Sequence, residues 1–307
     1  MIRRLDLTCP LQGRRWLRLF RDDPVSGIRM RENLDVPKSR LGFSCRTNRH
    51  GLRGPACESA DNVILGTSFA LGLAVDNGEN WYELGLETDA WLNLGLPVGT
   101  REMSELVRTL HRGRRHTAIV VYHPNFWAHC RYFDRWRASG RSAFESMGWK
   151  TGLAECLQLE VRRFLRRQRA LRTGNALRIR HQGRDYFIDC KYSRFDLQGQ
   201  SSLFEDSLRI LAEIAGSFSR CLVIRVPIKQ DLVARESTNP VLRETVNEYD
   251  EAWRRVTEEL SRKPSITTHA AEGFQLEDFH EMDGHWNAAG NRRFAQVLAN
   301  ERKRLGR

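Results

Sequence analysis

The chain has 307 residues, 40% of them hydrophobic, and carries a formal net charge of +12. A chain of this size buries roughly three quarters of its unfolded surface and needs no staples to fold. No run approaches the ~18 consecutive apolar residues of a membrane-spanning helix, so no transmembrane segment is expected in it.

The first twenty residues are rich in Arg but interrupted by Asp6, Pro10 and Gly13. They lack the apolar core of a secretory signal. Seven cysteines, none in a CxxC pair, leave an odd thiol. Reduced cysteines and a cytoplasmic location are the expectation.

In chain order, residues 1–60 show little periodicity and are expected to form an N-terminal extension packed on the core. Val63-Ile64-Leu65 is an apolar, β-prone run broken abruptly by Gly66-Thr67-Ser68, so a strand is expected to end there. A crossover helix is expected over 78–86. A second strand starts at Trp91 and ends in a turn holding Gly95 and Gly99, followed by a helix over 101–112. Thr117–Tyr122 reads as a third strand, with Asn125 just past its end. An insertion at about 129–200 then carries a basic amphipathic helix, 157–172, and a hairpin of 176–180 with 185–191 that turns over 182–184. A helix over 202–217, a strand over 221–226, a helix over 239–261 and a closing helix capped by Asn287 complete the chain. Strands alternating with helices predict one α/β domain over 61–307, a three-layer α/β/α sandwich with a central parallel sheet.

Parallel strands all finish at one edge, where ligands and reactive groups collect. Ser68, Gly95 and Asn125 are expected to converge there. A serine at a strand tip serves as a nucleophile if a histidine and an oxyanion hole accompany it. Far downstream, Met282-Asp283-Gly284-His285-Trp286-Asn287 provides a histidine beside a carboxylate. The N–H groups of Ser68 and Gly95 and the amide of Asn125 would supply three oxyanion donors. Each half also has an ordinary reading. Thr67 or Ser68 is a good helix N-cap, and Asp283-Gly284 is a good turn. The Gly-x-Ser-x-Gly elbow is absent, because residue 70 is Ala.

These blocks, Gly66-Thr67-Ser68-Phe69, Gly95, Asn125 and Asp283-Gly284-His285, resemble in order the four blocks of the SGNH hydrolase family, the GDSL-like esterases and lipases. Thr47-Asn48-Arg49-His50-Gly51-Leu52-Arg53-Gly54-Pro55 is similar to the lead-in of many bacterial members. The resemblance implies an SGNH/flavodoxin-like fold, with Ser68 as nucleophile, His285 as base and Asp283 as acid. It also implies an oxyanion hole of Ser68, Gly95 and Asn125. Two positions depart from the family pattern: Thr67 stands where Asp is usual, and Asp283 lies two rather than three residues before His285. Branches that O-acetylate bacterial polysaccharides show the closer spacing. The expectation is therefore a serine esterase acting on an O-acylated glycan or small metabolite. The alternatives are an O-acyltransferase using the same acyl-serine, or a non-catalytic glycan- or acyl-binding protein.

No cofactor is expected, and no metal, because the nine histidines fall in no HExxH or carboxylate-matched spacing. Residues 101–180 hold 18 Lys and Arg against 6 Asp and Glu, a surplus equal to the net charge of the chain. Its centre is the helix 157–172, whose basic face is either simply solvated or a surface for an anionic membrane, an acidic glycan or an acyl-carrier partner. Its aromatics are not interleaved with basic residues as a nucleic-acid stacking platform requires.

Overall fold

A computed structural model of the chain describes residues 19–86, 90–123, 125–139, 162, 165–190 and 197–305. Its central sheet has five strands, all parallel. In chain order they are β5 (Asn62–Gly66), β6 (Trp91–Asn93), β7 (Thr117–Tyr122), β10 (Arg220–Arg225) and β11 (Ile266–Ala270). Across the sheet they run β6-β5-β7-β10-β11. The chain therefore reverses direction between β5 and β7, which opens a crevice at the carboxyl ends of those two strands.

The apolar runs of β5, β7 and β10 become strands buried on both faces, as interior parallel strands require. Val63, Leu65, Ala118, Val120, Cys221 and Val223 belong to one apolar cluster. Ile64, Ile119, Val121, Leu222 and Ile224 belong to another. The first side is covered by the helices Thr100–Leu110, Asn125–Ser139, Ser201–Gly216 and Pro240–Ser261. The second is covered by Trp81–Gly85 and Ala288–Leu305. This is the three-layer α/β/α sandwich anticipated from the alternation of elements.

Before the sheet, β1 (Phe20–Asp23) pairs antiparallel with β2 (Gly27–Met30), and β3 (Asp35–Val36) with β4 (Cys45–Arg46). Leu19, Phe20, Ile28, Met30 and Leu52 pack into the first cluster. The hairpin β8 (Ala176–His181) and β9 (Arg184–Asp189) has a two-residue turn, tighter than the three residues predicted. Gln182 (φ +48°) and Gly183 (φ +77°) both take positive φ, the backbone that matches strand twist in a two-residue loop. Of the predicted basic helix, 165–172 is helical; 157–161, 163 and 164 lie outside the described residues.

Two local expectations change, and one strand is unanticipated. The helix expected from residue 78 begins at Trp81, because Gly78 sits at φ +81°. The strand β6 stops at Asn93, whose side chain takes the Gly95 N–H. The edge strand β11, Ile-Thr-Thr-His-Ala, buries only Ile266 fully and so carries no apolar run to read. Among the described residues no helix is long and apolar enough to cross a membrane.

Candidate functional site

Ser68 stands at the carboxyl end of β5, where the strand turns sharply into the short helix Ser68–Leu71. Gly66 makes that turn possible. Its φ is +150°, and a Cβ there would lie 2.7 Å from Ala70 Cβ and 2.9 Å from the Val121 carbonyl. Thr67 occupies the N-cap position, yet its side chain makes no capping bond. Its fully buried hydroxyl has no hydrogen-bond partner among the described residues.

The Ser68 hydroxyl does not cap the helix either. It lies 2.7 Å from His285 Nε2, so of the two local readings of Gly-Thr-Ser the side chain follows the one that turns toward the histidine.

The other imidazole nitrogen, Nδ1, bonds Asp283 Oδ1. The same carboxylate oxygen accepts the His285 backbone N–H at 2.8 Å. A two-residue separation is therefore sufficient, since an Asx-type turn folds the carboxylate back onto its own histidine. The turn is closed by a backbone bridge between Phe279 and Trp286 and by the His280 N–H to His285 carbonyl bond, 3.0 Å. Asn287 accepts the N–H groups of Ala289 and Gly290, capping the closing helix, and its amide donates to the carbonyls of Glu277 and Phe279.

Charge follows this geometry. Desolvation pushes His285 down, but the Asp283 carboxylate overrides it and holds the imidazole above its ordinary value. Desolvation likewise opposes ionisation of Asp283, and attraction to His285 wins, leaving Asp283 below the usual carboxylate range. His123, at the tip of β7, stacks on Phe69 with ring centroids 4.6 Å apart. Burial first, then the nearby imidazoles of His285 and His129, hold His123 well below its ordinary value, so it stays neutral. Phe69 also faces His285 at 5.1 Å and Trp286 at 4.8 Å.

Gly95 comes to the same helix for a steric reason: a Cβ there would lie 2.6–2.8 Å from atoms of Ala70 and Leu71. Its N–H donates to Asn93 Oδ1 at 2.8 Å, while Asn93 Nδ2 donates to the Ala70 carbonyl at 3.1 Å. The predicted oxyanion donor thus has a partner already, one a substrate would have to displace. Asn125 is the first residue of the helix that follows β7; its side chain lies outside the described residues.

Three residues that sequence reasoning passed over hold the site in shape. Trp81 Nε1 donates to the Phe69 carbonyl, 2.9 Å. Arg53, 2% exposed, reaches from the N-terminal region to the carbonyls of Gly72 and Val75 just past the helix Ser68–Leu71. Lys229, 3% exposed, donates to the carbonyls of His280 and Glu281, the latter two residues before Asp283. Burial, outweighing the attraction of Asp283 and Glu281, brings Lys229 down to about 8. The available signal was position: Lys229 follows the tip of β10 by four residues, at the edge where parallel sheets place their working groups. Among the described residues no cluster of three or more His, Cys, Asp or Glu could hold a metal ion.

No family model matches the chain, and neither does any curated protein. Several solved structures are similar to it, among them the following two. One is a Streptococcus pneumonia protein assigned as a platelet activating factor, 10% identical, with a TM-score of 0.38 over 79% of this chain and 84% of that one. The other is a carbohydrate esterase family 2 enzyme with its carbohydrate binding domain, from Corynascus thermopiles (Myceliophthora fergusii). It is 11% identical, with a TM-score of 0.39 over 83% of this chain and 69% of that one. At such values the activity has to be read from the site itself.

Proposed function

We propose that the chain is a serine esterase of SGNH type, acting on an O-acylated glycan or small metabolite. The observation that carries this reading is the relay Ser68 Oγ to His285 Nε2 at 2.7 Å, with Asp283 on the opposite ring nitrogen. Nucleophile, base and orienting acid stand in the order that acyl transfer needs. His285 takes the Ser68 proton as Oγ attacks the ester carbonyl, and Asp283 stabilises the resulting imidazolium. The oxyanion is held by the Ser68 N–H, by Asn125, and by the Gly95 N–H once Asn93 releases it. Collapse of the tetrahedral intermediate expels the alcohol, which takes the proton from His285. Water then repeats the sequence on the acyl-serine.

A fluorophosphonate probe, which reacts only with an activated serine, is the test. Labelling of the wild type that disappears in Ser68→Ala supports the reading. A well-folded wild type that is not labelled, and does not hydrolyse p-nitrophenyl acetate, refutes it.

A further inference from the structure

We propose that the helical segment 165–172 and the adjoining loop at Met282 form a docking surface for an anionic lipid bilayer. The segment presents Leu165, Arg166, Gln168, Arg169 and Arg172 to solvent. The residues between them on the other face, Arg167, Ala170 and Leu171, are partly covered. Arg166, Arg169 and Arg172 make no ion pair among the described residues. Elsewhere arginines find carboxylates readily, as Arg254 does with Glu251 and Glu258. Exposed arginines gathered on one face create a field that attracts polyanions. Every basic residue from 162 to 190 other than His181 is an arginine, the side chain whose planar fork matches phosphate oxygens.

Two observations select a bilayer among polyanions. Among the described residues only three large hydrophobic side chains are exposed, and two of them, Leu165 (59%) and Met282 (49%), lie on this flank. Exposed apolar side chains beside exposed arginines are the signature of interfacial binding, in which apolar insertion and attraction to anionic headgroups act together. The flank is also continuous with the candidate site. The Arg167 guanidinium lies over the Phe187 ring at 5.5 Å. The Phe187 N–H bonds the Glu281 carbonyl at 3.0 Å, and Met282 and Asp283 follow directly. Glu281 and Asp283 are at most ~7 Å apart along the chain. Docking through this flank would bring the Ser68 crevice to esters carried at a membrane. That consequence rests on the proposed esterase reading, whereas the binding itself does not.

The test is co-sedimentation with vesicles of equimolar phosphatidylglycerol and phosphatidylcholine, and with phosphatidylcholine alone. The wild type is expected to sediment with the anionic vesicles, not with the neutral ones, and to be released by added salt. Each arginine brought to such a surface multiplies binding about fivefold. Arg166→Glu/Arg169→Glu should therefore bind at least about 25-fold more weakly, with an unchanged circular dichroism spectrum and melting temperature. Leu165→Ser should weaken binding at every salt concentration. Failure of the wild type to sediment with anionic vesicles overturns the proposal. So does undiminished binding by the double variant. Retention of DNA without retention of vesicles overturns it in favour of a nucleic-acid surface. Because sedimentation requires no turnover, loss of the esterase reading and loss of this one are separately visible.

Discussion

Replacing Asp283 by Asn tests how much of the proposed relay is electrostatic. The carboxylate contacts both the Nδ1 and the backbone N–H of His285 through one oxygen, and Asn retains an acceptor but loses the charge. Two unit charges ~4 Å apart interact by ~4 kcal/mol at the effective dielectric of a protein surface and by ~1 kcal/mol in water. The Asp283 side chain is 52% exposed and that of His285 is 23% exposed, so solvent screening takes the pair toward the lower figure. An intermediate ~2 kcal/mol corresponds to ~30-fold in rate, far short of the ~10⁴-fold lost when a buried triad loses its acid.

The pH profile supplies the sign. The base must be neutral to accept the Ser68 proton. Because Asp283 holds His285 above its ordinary value, kcat/KM for p-nitrophenyl acetate should rise through a limb above about 6.5. In Asp283→Asn the desolvation and the Lys229 charge remain while the opposing carboxylate is gone, so the limb should move below about 6.5. An unmoved limb, or a variant as inactive as Ser68→Ala, would refute the reasoning.

Gly66→Ala forces a Cβ within 2.9 Å of the Val121 carbonyl at a φ of +150°. It should cost about 3 kcal/mol or more and lower the melting temperature by roughly 6–12 °C, as read by calorimetry. Thr67→Val removes a buried hydroxyl that has no partner among the described residues; it should leave kcat unchanged and stability equal or up to ~1 kcal/mol higher, and a tenfold loss of kcat would show that the hydroxyl acts. Lys229→Met leaves the carbonyls of His280 and Glu281 without their donor. A loosened acid–base turn should lower kcat by roughly 10- to 100-fold with KM nearly unchanged, and wild-type kcat in a folded variant would dismiss Lys229 as a positioning residue.

Much of this fold was legible because β5, β7 and β10 are buried on both faces and so appear as unbroken apolar runs ending in turn residues. The edge strand β11 was not, because one covered residue and four partly or largely exposed ones leave no period to detect. Ser68 was legible as a strand-tip serine but not as distinct from a helix cap, since both uses demand the same Gly-Thr-Ser. What separates them is a bond to His285, 217 positions away. Gly95 was legible as a close approach, although its neighbour there is the helix bearing Ser68 and its N–H answers to Asn93.

Least legible were Arg53 and Lys229, two cations among 50 Lys and Arg. Neither makes an ion pair among the described residues. Both are buried against main-chain carbonyls, Arg53 on the segment that leaves the Ser68 helix and Lys229 on the turn that presents Asp283 and His285. Carbonyl dipoles replace the hydration of a buried cation only when they converge on it, and that convergence is built by tertiary structure, so no local pattern marks it. Such a cation is held chiefly by backbone, with the Asn77 amide oxygen beside Arg53 and the Tyr186 ring beside Lys229. It therefore fixes backbone in return, which is how a buried lysine can set the geometry of the turn that carries Asp283 and His285.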